Sequence, residues 1–219
     1  MFSTRFDSLR SIERQRVLAV VRLDDPAPLR PVLEALAAGG ICAAEIALTT
    51  PGALAAMATL TPELGSRVLI GAGTVLDPET ARLAILAGAR FIVGPTFSLP
   101  VLEVCHRYDV VAIPGAYSPT EILAAWEAGA DIVKLFPARG LGPSYVRDLR
   151  GPLPQVRLLP TGGVNADNAA EFLAAGAMAV GVGGNLIDRE AVARGDYAHI
   201  TEVASQLSRA VSGLQEVAP

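Results

Sequence analysis

Lys134 stands in an apolar run, Ile132-Val133-Lys134-Leu135-Phe136, where the alternation of a strand sets Ile132, Lys134 and Phe136 on one face. It is the only lysine of the chain; all the other residues counted among its 18 Lys and Arg are arginine. An ammonium taken out of water is costly unless it is paired or used. Loss of water favours the neutral amine, the nucleophile that attacks a ketone to form an imine. A structural ion pair or a snorkelling side chain at a strand end would also account for a lysine there, but the flanking motif points to the nucleophile. Glu45 is a second charge in an apolar strand pattern, Ala43 to Leu48. A carboxylate beside an imine can move protons on and off carbon; a salt bridge with Arg22 or Lys134 is the alternative use. Arg22 closes the first strand pattern, where a guanidinium can clamp a carboxylate or phosphate or simply face solvent.

Glycine loops carry a third signal. Thr161-Gly162-Gly163 follows the seventh strand pattern, and Gly181-Val182-Gly183-Gly184 ends the eighth. Backbone N–H groups in such loops bind phosphate, and barrels often use the loops after strands seven and eight for it. Tight turns use the same residues. Asn185 is placed to help at the second loop. Gly71-Ala72-Gly73-Thr74 adds a hydroxyl and a close backbone approach after the third strand, unless it is an ordinary strand–helix turn.

These residues need elements to hold them. Short β-rich runs fall at 17–22, 43–48, 67–73, 90–95, 110–115, 131–137, 156–163 and 178–184. Helical patterns lie near 26–38, 53–60, 78–87, 99–107, 118–128, 143–149, 167–175 and 197–212, with a leading helix near 5–15. Alternation of this kind implies a parallel sheet. An Ala-Gly pair recurs at Gly39, Gly88, Gly129 and Gly176, each expected just past a helix end. Eight units without a Pro/Ser-rich linker predict one α/β domain over 1–219, a (β/α)8 TIM barrel with an extra N-terminal helix. Chemistry in such a barrel sits at the C-terminal ends of the strands.

Composition narrows the function classes. Hydrophobic residues make up 51% of the chain and charged ones 18%, enough for a large core and too few charges for disorder. A net charge of −4, with no basic run, gives nucleic-acid binding little support. No apolar run reaches transmembrane length, and residues 1–16 are too charged for a secretory signal. Cys42 and Cys105 read as reduced thiols of a cytoplasmic protein. With His106 and His199 they lack metal-ligand spacing, so no metal or other cofactor is expected.

The chain resembles the class I 2-keto-3-deoxy-6-phosphogluconate aldolases, including the bifunctional forms that also cleave 4-hydroxy-2-oxoglutarate. The resemblance runs from about residue 10 to residue 212. It is carried by Ala44-Glu45-Ile46, Gly71-Ala72-Gly73-Thr74-Val75, Pro114-Gly115, Val133-Lys134-Leu135-Phe136-Pro137 and Pro160-Thr161-Gly162-Gly163-Val164. It implies that Lys134 is the Schiff-base lysine and Glu45 the general acid/base. It further implies that Thr74 binds the pyruvate carboxylate, and that Thr161 influences the stereochemistry of the incoming aldehyde. Gly162, Gly163 and the loop around Gly184 match the family's phosphate site. The substrate-binding set expected on this basis is Arg22, Thr49, Thr74, Pro95, Phe136, Thr161, Gly162, Gly163, Gly183 and Gly184.

The family is similar in being metal-independent and commonly trimeric, and a homotrimer is expected here. Two departures stand out. Many members carry an arginine where this chain has Thr49, a gap that Arg22 could fill from the adjacent strand. Many also have a serine where this chain has Gly184. The expected partner is a small 2-keto-3-deoxy sugar acid, with a phosphate at its far end or without one. A 6-phosphogalactonate substrate, a phosphate-binding isomerase or epimerase barrel, and a non-catalytic sugar-phosphate binder are the competing readings.

Overall fold

β-Branched and small aliphatic residues fill the strand positions, and nearly every strand residue is buried on both faces, as parallel strands under a helical layer require. The computed structural model describes residues 4–212; of the expected domain, 1–3 and 213–219 lie outside the described residues. The strands are β1 (Val17–Val21), β2 (Ala43–Ala47), β3 (Leu69–Gly73), β4 (Phe91–Val93), β5 (Val111–Ile113, resumed as Gly115–Ala116), β6 (Val133–Leu135), β7 (Leu158–Pro160) and β8 (Val180–Val182). All neighbours pair in parallel, in the order β8-β1-β2-β3-β4-β5 and then β5-β6-β7. A bridge between Thr161 and Gly181 joins β7 to β8 and closes the ring. The expected eight-stranded barrel is therefore present, with its leading helix at Arg5–Gln15.

The pleat separates two cores. Inside the ring lie Leu18, Ala43, Leu69, Phe91, Val111, Ile132 and Leu159, and Ile12 of the N-terminal helix caps the bottom of this cluster. The alternate residues, such as Val17, Ala19, Ala44, Ile70, Val133 and Leu158, pack outward against the helices. Ile132 and Lys134 thus share the inward face, as the alternation predicted. Register sets the depth of the charges: Glu45 lies opposite Val20 on β1 and Gly71 on β3, and Lys134 opposite Gly115 and Leu159.

Several boundaries differ from the sequence expectation. The fifth strand, expected as one run over 110–115, breaks at Pro114, which has no N–H to offer the ladder. Its first half pairs with β4, its second with β6, and the Pro114 carbonyl accepts the Lys134 N–H at 2.9 Å. Gly88, Gly129 and Gly176 take the expected left-handed conformation, but after the helix Leu29–Ala38 it is Gly40, not Gly39, that does so. A 3-10 turn at Ala138–Gly140 and a short helix at Arg189–Ala193 occupy segments expected as loop.

Candidate active site

The C-terminal ends of the strands open into a cavity of about 500 Å³, within the range usual for small-molecule sites. Lys134 reaches it from β6 and is 6% exposed. Its Nζ lies 3.5 Å from Oε1 of Glu45, which is 1% exposed. Neither carboxylate oxygen of Glu45 has a hydrogen-bond partner among the described residues. The carboxylate fits there because Gly73 has no side chain: a Cβ at that position would stand 2.6 Å from Oε1. Phe136 forms part of the wall, with its ring centroid 5.3 Å from the lysine nitrogen.

The rest of the rim follows from the strand ends. Arg22, after β1, donates from Nη2 to the Thr74 hydroxyl at 3.2 Å. Thr74 holds φ +63°, a left-handed conformation that a β-branched residue adopts only under constraint. Thr161 is 5% exposed, with its hydroxyl donating to Leu159 O at 3.3 Å. The bare Cα of Gly181 on β8 makes room for that hydroxyl. Gly162 and Gly163 sit at φ +96° and +82°, turning the chain sharply after β7. Asn168 Nδ2 donates to Gly163 O at 3.1 Å and Asn185 Nδ2 to Val164 O at 2.9 Å. Loop carbonyls, which would repel an anion, are thereby engaged by side-chain amides.

Of the expected residues, Lys134, Arg22, Thr74, Pro95, Phe136, Thr161, Gly162, Gly163, Gly183 and Gly184 all line the cavity. Glu45 lies beneath it, against Lys134. Thr49 is exposed and outside the lining. β2 ends at Ala47, and Thr49 lies within the turn closed by Thr50 N–H to Ala47 O at 2.9 Å. The structure adds Val20, Arg139, Val164, Ile187 and Arg189 to the wall, and Asn185, expected at the second glycine loop, lines it as well. Val20 follows from alternation along β1, but nothing in the sequence marks Arg139 or Arg189 apart from other arginines. Among the described residues no cluster of His, Cys, Asp and Glu is arranged to hold a metal ion. No helix among them is long and apolar enough to cross a membrane.

A buried amine–carboxylate pair under the open mouth of a (β/α)8 barrel marks an enzyme, and its class is that of the aldolases, carbon–carbon lyases. The chain belongs to the KDPG and KHG aldolase family, whose model matches residues 9–203. It is 38% identical to a 2-dehydro-3-deoxy-phosphogluconate aldolase of Pseudomonas aeruginosa over 206 residues, 93% of this chain and 92% of the relative. A Treponema pallidum protein of the same name is 38% identical over 197 residues, 90% and 93% of the two chains. Among solved structures it is similar to a KDPG aldolase from Legionella pneumophila, described with pyruvate captured as a covalent carbinolamine intermediate. That similarity has a TM-score of 0.84 at 30% identity and covers 94% of this chain and 99% of the other.

Proposed function

We propose that this aldolase cleaves 2-dehydro-3-deoxy-6-phosphogluconate to pyruvate and glyceraldehyde 3-phosphate through a Schiff base on Lys134. The observation that carries the reading is the 3.5 Å approach of a nearly buried lysine nitrogen to the Glu45 carboxylate at the floor of an open cavity. The free amine attacks the C2 ketone, and the carbinolamine loses water to give an iminium. Glu45 takes the proton of the C4 hydroxyl; among the described residues no hydrogen-bond donor occupies its oxygens. The C3–C4 electron pair moves toward the iminium, which becomes an enamine as the aldehyde leaves. Protonation at C3 and hydrolysis then release pyruvate and regenerate the amine. In this scheme Arg22 and Thr74 receive the substrate carboxylate, while Gly162, Gly163, Gly183 and Gly184 receive the phosphate. The names of the relatives support the same substrate.

Borohydride reduction in the presence of pyruvate tests the reading. We expect a single covalent adduct, and because Lys134 is the only lysine, peptide mapping locates it without ambiguity. Lys134→Ala should abolish both adduct and cleavage; cleavage retained in that variant overturns the mechanism. We further propose that three copies associate through the leucines exposed on the helices Pro78–Leu86 and Leu99–Arg107. A cytoplasmic location accords with the two free cysteines; fractionation that finds the protein outside the cytoplasm would overturn it.

A further inference from the structure

Four charged side chains line the cavity, Arg22, Lys134, Arg139 and Arg189, and among the described residues no Asp or Glu does. Three of the four are engaged. Lys134 faces Glu45 at 3.5 Å, Arg22 binds the Thr74 hydroxyl at 3.2 Å, and Arg189 pairs with Asp24 at 3.4 Å. The Arg139 guanidinium makes no ion pair or hydrogen bond among the described residues.

Its backbone, by contrast, is fixed. The turn Ala138–Gly140 follows β6 directly, and Ala138 N–H is tied to Thr161 O at 2.8 Å. The aliphatic stem of Arg139 rests against Gly163, where an added Cβ would come within 3.0 Å of Arg139 Cβ. A free cation therefore stands beside the loops whose residues, Gly162, Gly163, Gly183 and Gly184, offer no side-chain charge or hydroxyl of their own. β3, which leads into Thr74, and β7, which leads into Thr161 and Gly162, are four places apart in a ring of eight and so face each other across the mouth. Arg22 with Thr74, and Arg139 with Gly163, thus flank the mouth from opposite sides. That arrangement suits a substrate charged at both ends.

We propose that Arg139 is a specificity-determining residue, setting the preference for substrates whose end remote from the ketone carries a phosphate. It supplies the charge-assisted contact that the glycine loops lack. This inference rests on the aldolase reading above.

The test compares kcat/KM for 2-dehydro-3-deoxy-6-phosphogluconate with that for its unphosphorylated counterpart. Arg139→Ala lowers the ratio of the two by about tenfold to a hundredfold, chiefly through KM for the phosphorylated substrate. Arg139→Lys, which keeps the charge but not the fork, recovers part of the loss. Arg147→Ala, at an exposed position on the helix Gly142–Arg150, leaves the ratio where it was and excludes a general effect of removing positive charge. An unchanged ratio in Arg139→Ala, or an equal fall on both substrates, overturns the proposal while pyruvate trapping at Lys134 leaves the parent reading standing. Absence of the pyruvate adduct in the wild-type protein strikes the parent reading itself and takes this inference with it.

Discussion

Two buried carboxylate oxygens without a hydrogen-bond donor among the described residues are an expensive arrangement, and an ion pair at 3.5 Å does little to recommend it as a stability device. Well-packed apolar residues in place of such a pair are often neutral or stabilising. The pair at Lys134 and Glu45 is therefore better explained by chemistry than by folding. Glu45→Gln isolates the proton transfer, because it keeps the shape and removes the base. Pyruvate should still be trapped on Lys134, while turnover falls by about 10²–10⁴-fold; turnover at the wild-type rate would remove Glu45 from the mechanism. This part of the site is legible in the sequence because each residue is a charge inside an apolar run. Arg139 and Arg189 are not, since they lie beyond strand ends, outside any strand pattern, where arginine is ordinary. Only closure of the ring brings them to the rim. Thr49 belongs to the expected set because it stands where many members of the family carry an arginine; its short side chain, on the turn after β2, is not part of the cavity wall.

At the scale of elements, the helices behind the mouth are held by carboxylates at their N-termini. Asp77 Oδ1 accepts the Thr80 N–H at 2.6 Å, and its other oxygen accepts the Thr80 hydroxyl at 2.9 Å. Glu121 accepts the N–H groups of Ser118 and Tyr117 at 2.7 and 2.9 Å within a capping box. These bonds hold both carboxyls below the usual carboxylate range, the backbone N–H of Thr80 acting on Asp77 and that of Ser118 first on Glu121. A carboxyl that is more acidic folded than unfolded adds stability above its unfolded value, and that stability is lost as pH falls through the folded value. The melting temperature should therefore hold between about pH 7 and pH 5 and decline below about pH 4. Asp77→Asn with Glu121→Gln keeps acceptor oxygens but removes the titration, so its decline should be shallower; parallel curves would refute the assignment. Helix starts of this kind can be read from sequence, because the capping residues are local. The break in β5 depends on Pro114 lying between two different neighbours, and the five residues of Arg189–Ala193 are too few for periodicity to reveal a helix.

For the molecule as a whole, the barrel buries nearly all of its strand residues but leaves one side of its helical jacket greasy. Leu86, Leu76 and Leu83 are 65%, 59% and 53% exposed on or beside one helix, and Leu99 is 47% exposed on the next. The two helices pack directly on each other, and Arg82 lies 3.9 Å over the ring of Tyr108 at the end of the second. A cluster of large apolar side chains in water is the ordinary mark of a surface that another chain covers. Three copies around an axis meet through two different faces each, so charging this single face should open every contact of the ring. Light scattering of the intact protein should give three times the 22.7 kDa chain mass, and Leu83→Glu with Leu86→Glu should give the single-chain mass and a lower melting temperature. The separated chains should still trap pyruvate, because Lys134, Glu45 and the described cavity wall all come from one chain. A wild-type protein of single-chain mass, or a double variant that keeps the threefold mass, would show that these leucines hold no trimer together.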